Sequence, residues 1–342
     1  MKTKMKMEMN NNMRKFYINV SGGTGLNIAL ASFISSVKDA HPGEYEFYVC
    51  SPYFDVFEAC PSVDGVYKPN ELKDLIFDAE ANNGELVLHR LYDMDGFIKK
   101  QLNYSEAWAK LMNIEWEDTE NGTTAKSLLN PSKKYPYIVP QVEQIKNAFK
   151  QKGFKDYIIV QFTGGQSPLV QVPPKVVKNE QGMETQVPDW SRVPYNYDNE
   201  PLKRHYPIEK AQEFVDAFAA AHPETAILLF QLPNEPMPHN NSTFNFVVPY
   251  LAYYELAKDA VGTVSIDSSL QHLVAGVTKS VVIWAHSKPK SFGYSYNNNI
   301  EQPCRTDDLL YFSALGPSGA KVNYISPNEL LKEVDKHLYN KD

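Results

Sequence analysis

The sequence predicts an α/β protein made of two doubly wound parallel sheets in succession. Three observations carry that expectation. The chain opens with a strand, a glycine turn, a helix and a second strand at residues 16–20, 21–25, 26–37 and 45–50. A second opening of the same kind starts at residues 155–162 and ends on Thr163-Gly164-Gly165. Near the C-terminus, residues 260–266, a helix after Asp267 and residues 280–284 make a strand–helix–strand unit. Strands that alternate with helices pair in parallel.

In the first half, Phe16, Ile18 and Val20 belong to a strand of residues 16–20, and Ser21-Gly22-Gly23-Thr24-Gly25 follows as a turn. Leu26, Ala29, Leu30, Phe33, Ile34 and Val37 fall at helical spacing, and His41-Pro42-Gly43 stops that helix. The glycine turn lacks the full G-x-G-x-x-G spacing, so a tight turn and a ligand loop both fit it. Residues 45–50, 62–67 and 85–89 read as strands and residues 54–60 as a short helix. Residues 96–112 read as one helix, and residues 138–149 as a helix leading into the second sheet.

The second half starts with the strand at 155–162. Residues 166–203 are proline-rich and without periodicity, too long for an ordinary connection. Trp190, Tyr195 and Tyr197 in it suit a binding loop that stacks on a sugar or base; a wrapped surface insertion fits equally. Lys203-Arg204-His205-Tyr206-Pro207 leads into a helix with Ile208, Ala211, Phe214, Val215 and Phe218, and its cations could neutralise a diphosphate. Residues 226–230 are a strand, followed by the polar loop Gln231-Leu232-Pro233-Asn234-Glu235, and residues 251–257 a helix. Tyr324-Ile325 reads as a last short strand, and residues 327–338 as a helix with Leu330, Leu331, Val334 and Leu338.

The stretch most suggestive of chemistry is Asp267-Ser268-Ser269-Leu270-Gln271-His272. A strand ends, strong cap residues turn the chain, and Leu270, Leu273, Val274 and Val277 start a helix. Backbone N–H groups at a helix start attract anions such as phosphate. Asp267 beside them is an acceptor for hydroxyl groups, and His272 is expected to face the same mouth. A plain helix cap and a structural histidine explain the same residues. Lys288 and Lys290 are further candidate phosphate partners.

Composition sets bounds. The 342 residues favour two domains, with 43% hydrophobic residues and four Trp to fill their cores. A net charge of −7 offers no general basic surface for nucleic acid. The three Cys show no metal spacing, which fits a reducing cytoplasm. No run approaches a membrane span, and residues 1–13 read as a disordered tail without a signal peptide's apolar stretch. Asn103, Asn121 and Asn241 lie in glycosylation sequons, which carry no meaning without secretion.

In combination the chain resembles the GT-B glycosyltransferases of the ADP-heptose:lipopolysaccharide heptosyltransferase family, glycosyltransferase family 9. Four stretches carry the likeness: residues 22–30 with His41-Pro42; Ser51-Pro52-Tyr53 through Pro61-Ser62-Val63-Asp64-Gly65-Val66; Arg204-His205-Tyr206-Pro207, against the family's K-x-W-P; and residues 267–275, against its D-S-G-x-x-H-L-A-A. The resemblance implies two facing Rossmann-like domains with a cleft between them. Residues 14–150 would bind the acceptor and 151–325 the nucleotide sugar, with 166–203 as an insertion; the helix in 326–342 would pack back on the first domain. It implies inverting, metal-independent transfer from a nucleotide diphosphate sugar to a glycan or lipopolysaccharide-type acceptor, with no cofactor. Asp267 would contact the sugar. Ser268 and Ser269, with Thr163 and Gly164, would hold the diphosphate. Arg204, with Lys203, would stabilise the leaving phosphate, and Glu235 would bind the ribose. Gly22, Gly23 and Thr24 would form the acceptor-side loop. The protein would work in the cytoplasm, with peripheral membrane contact at most.

Two departures matter. The family's first loop carries an Asp (S-x-G-D) able to act as general base, and here Thr24 stands in its place, a neutral hydroxyl that cannot serve. The base is then Asp267, Asp55 or His272, or the acceptor pocket differs. Ser269 replaces a glycine. Two alternatives follow: transfer to modified bases in DNA, and a non-catalytic sugar-nucleotide binding protein.

Overall fold

The computed structural model describes residues 13–88, 91, 94–98, 102–164, 174–178, 184–188, 206–231, 235, 237–284, 287–302 and 323–341. The first half contains β1 (Arg14–Asn19), α1 (Thr24–Ala40), β2 (Tyr45–Cys50), α2 (Phe54–Glu58), β3 (Gly65–Tyr67), α3 (Leu72–Ala81) and β4 (Glu85–Leu88). It continues with α4 (Asp95–Ile98), α5 (Tyr104–Met112), α6 (Pro131–Lys134) and α7 (Ile138–Gln151). The second half contains β5 (Asp156–Gln161), β6 (Pro174–Lys178), β7 (Glu184–Pro188), α8 (Ile208–Ala221), β8 (Thr225–Leu229), β9 (Thr243–Asn245) and α9 (Tyr250–Ala257). Then come β10 (Gly262–Ile266), α10 (Ser269–Leu273), β11 (Ser280–Trp284), α11 (Pro289–Phe292), β12 (Asn298–Glu301) and α12 (Pro327–Tyr339).

Both sheets are parallel throughout. The first has the order β3-β2-β1-β4 and the second β12-β11-β10-β5-β8-β9, while β6 and β7 form a separate antiparallel hairpin inside the insertion. Each sheet is doubly wound, and each reverses direction at a switch point: between β1 and β4, and between β10 and β5. Ligands of such sheets bind beyond the carboxyl ends of the strands at those points.

Side-chain alternation sets the layers. On β5, Ile158 and Val160 face one way with Val264 and Ile266 of β10, covered by Phe214 and Phe218 of α8 and Leu330, Val334 and Leu338 of α12. Tyr157 and Ile159 face the other way and join a single core that also holds Leu251 of α9, Leu270 of α10 and Phe16, Ile28 and Phe33 of the first half. The helices between the sheets thus share one apolar core. The outer face of the first sheet is covered by α3, through Leu75 and Ala79 against Tyr17 and Cys50.

Four expectations are corrected. The helix expected over 96–112 is two helices, because Asn103 caps α5 afresh, accepting from Glu106 N while Glu106 caps the Asn103 N–H in return. The helix after Asp267 lasts only five residues. Tyr324 and Ile325 are not in a strand; β12 holds that edge, and Ile325 is tied to it through the Gln302 side chain. The terminal helix does not return to the first half. It lies on the second sheet beside α8, where His222 Nε2 and Asp335 Oδ1 are 2.7 Å apart and the His222 ring packs against both Phe218 and Tyr339. Residues 1–12, expected as a tail, lie outside the described residues. Among those described, no helix is long and apolar enough to cross a membrane.

Candidate functional site

The switch point of the second sheet gathers most of the residues singled out from the sequence. Beyond β5 come Phe162, Thr163 and Gly164; beyond its neighbour β10 come Asp267, Ser268 and Ser269. Thr163 is buried, and its hydroxyl accepts from Gln231 Nε2 at 3.3 Å, which ties the end of β5 to the end of β8. Glu235, beyond β8, is also buried. Ser268 caps α10 in extended conformation without a side-chain hydrogen bond to the helix, and one first-turn donor, Leu270 N, goes to Gln161 Oε1 at 3.2 Å.

Asp267 is 4% exposed, and both its oxygens are engaged: Gln271 Nε2 donates to Oδ1 at 2.7 Å, and the Ser287 hydroxyl donates to Oδ2. The carboxylate is therefore fixed in direction.

Lys203 and Arg204 lie outside the described residues. The chain is described again from Tyr206, whose N–H donates to Phe162 O at 2.8 Å, one residue before Thr163. Lys288 pairs with Glu301 at 3.0 Å.

The first half meets this point through its glycine loop. Gly22 has φ +109°, a conformation that favours glycine, and Gly23 caps α1. Asn27, fully buried, fastens the loop: its Nδ2 donates to Gly23 O at 2.9 Å and its Oδ1 accepts from Ser51 Oγ at 2.7 Å. Thr24 begins α1. The next residue, Gly25, is one place where the halves touch: a Cβ there would lie 2.9 Å from His272 Cδ2 and 3.4 Å from Ser269 Cα. The carboxyl ends of both central strands thus open at one place.

His272 is buried between the halves. Its Nδ1 is 3.0 Å from the Tyr294 hydroxyl, and its ring packs against Tyr294 and against Tyr104 of the first half. Burial pushes the Tyr294 phenol well above its ordinary pKa, so it stays neutral. Asp55 on α2 faces Tyr250 at the start of α9; burial first, and the Asp55 charge second, push that phenol well up. Each of the three carboxylate or imidazole candidates for the base is thus already in contact with a neighbour.

As site residues, Asn27, Tyr104, Gln161, Gln271, Ser287 and Tyr294 were passed over in the sequence. Only Gln271 had a local signal, standing four residues after Asp267 at the start of a helix. Gly25→Ala is expected to leave stability within about 1 kcal/mol, because alanine's better helix propensity offsets the contact. It shifts α1 against α10 by a few tenths of an ångström, and activity is expected to fall about tenfold. Thermal unfolding and turnover of the same sample check both.

No family model matches this chain, and no curated protein matches it. Solved structures do. A glycosyl transferase of family 9 from Veillonella parvula matches over 97% of this chain and 99% of its own, with a TM-score of 0.58 and 10% identity. The ADP-heptose lipopolysaccharide heptosyltransferase II of E. coli matches over 96% and 99%, with a TM-score of 0.54 and 11% identity. At such identities the likeness is one of fold, over nearly the full length: this chain has the GT-B architecture of those enzymes, two Rossmann-like parallel sheets face to face. That is the architecture expected from the sequence.

Proposed function

We propose that the protein is a glycosyltransferase that takes a sugar from a nucleotide diphosphate sugar and passes it to a glycan or lipopolysaccharide-type acceptor. The observation that carries this reading is the anchored, buried Asp267 standing at the switch point of the second sheet, beside Ser268, Ser269, Thr163 and Gly164. A fixed carboxylate next to a polar turn between strands suits a sugar hydroxyl on one side and a diphosphate on the other. The GT-B fold, shared with structures named as glycosyltransferases, agrees with it. In this reading Arg204 and Lys203 meet the leaving phosphate, Glu235 the ribose, and the Gly22-Gly23-Thr24 loop the acceptor. The transfer inverts the anomeric carbon and needs no metal, and it takes place in the cytoplasm.

Calorimetry with ADP, UDP and GDP and with their sugars is the direct test. One nucleotide series is expected to bind with a Kd in the micromolar range, unchanged by EDTA. Absence of heat with every compound would overturn the proposal. Thr24, in place of a loop carboxylate, supports a second reading: a sugar-nucleotide binding protein without catalysis. Release of the free nucleotide on incubation with donor and acceptor excludes it.

A further inference from the structure

The amide of Gln271 has a single hydrogen-bonding use among the described residues. Its Nε2 donates to Asp267 Oδ1, while its Oε1, in a side chain with no exposed surface, meets no donor. The amide orientation is dictated by chemistry, since the flipped form would set a carbonyl oxygen against a carboxylate. A buried carbonyl oxygen without a donor is costly, and methionine fills nearly the same volume without that cost. Glutamine is therefore a poor choice for packing here, and the bond to Asp267 is what it adds. Ser287, arriving from the loop after β11, takes the opposite oxygen.

We propose that Gln271 is a positioning residue which, with Ser287 opposite, clamps the Asp267 carboxylate in the orientation that reads the donor sugar. This rests on the reading of Asp267 as the acceptor for sugar hydroxyls. A carboxylate offers about four lone-pair directions. Gln271 and Ser287 each take one, on opposite oxygens, and so fix the directions of the others. The clamp acts on recognition of the sugar and leaves the nucleoside diphosphate to other groups.

The test compares the wild type with Gln271→Met, Ser287→Ala, Asp267→Ala and the combined Gln271→Met/Asp267→Ala variant. Each is titrated with ADP, UDP and GDP, and with ADP-glucose, UDP-glucose and GDP-mannose. Gln271→Met is expected to weaken the best sugar nucleotide about tenfold, as loss of a bond to a charged group does, while the matching nucleoside diphosphate stays within about twofold. Ser287→Ala gives the same pattern, and carries the comparison alone if Gln271→Met fails to fold. In the Asp267→Ala background, Gln271→Met adds nothing, because its effect passes through that carboxylate. Equal losses for both ligands, additive losses in the combined variant, or a folded Gln271→Met with wild-type affinity overturn the clamp. A wild type that binds none of the six overturns the nucleotide-sugar reading itself, and the clamp falls with it.

Discussion

Asp267→Ala is expected to lower kcat/KM for sugar transfer by about a thousandfold, roughly 4 kcal/mol of transition-state stabilisation. A site built to hydrogen-bond a hydroxyl loses heavily when its acceptor goes, because the groups left behind are unpaired. Here Gln271 Nε2 and the Ser287 hydroxyl would both lose their acceptor in a buried place. Binding of the nucleoside diphosphate is expected to survive, so steady-state kinetics and calorimetry on one preparation separate the sugar from the phosphates. Transfer at more than about a tenth of the wild-type rate would remove Asp267 from the site.

Gly122→Ala is expected to cost at least about 3 kcal/mol of stability. Gly122 has φ +117°, and a Cβ there would lie 2.5 Å from Gly293 O and 3.0 Å from Pro289 O. The obstructing atoms are backbone on the far side of the seam between the halves, where Thr123 N also donates to Gly293 O at 2.9 Å. No side chain can swing aside to relieve them. Gly153 is the control: it has φ +88° with nothing within 4 Å of its Cβ, so alanine costs only about 1 kcal/mol. Chemical denaturation of both variants checks the difference.

Much of this architecture is legible in the sequence because it is local. A strand, a glycine turn and a helix at apolar spacing identify each half, and cap residues after β10 mark the mouth of the site. What escaped is held by partners distant in sequence. Ser287 reaches Asp267 across 20 residues, and Tyr104 and His272 belong to different halves. The helix α3 escaped for another reason: Ile76 and Phe77 are 42% and 54% exposed, which blurs the apolar stripe that Leu75 and Ala79 bury. In α12 the stripe of Leu330, Val334 and Leu338 announced an amphipathic helix, yet nothing in it named the sheet it would choose. The polar run Asn297-Asn298-Asn299 hid β12, whose inward contribution is Ile300.

The stretch from Thr123 to Asn130 belongs to the first half by sequence and is sewn to both. Ser127 N donates to Ala275 O, Leu129 N to the Tyr254 hydroxyl, and Asn130 N to Ala59 O, while the Tyr296 hydroxyl donates to Ala125 O. Prising the lobes apart like a jaw means tearing these stitches together, along with the apolar layer beneath them.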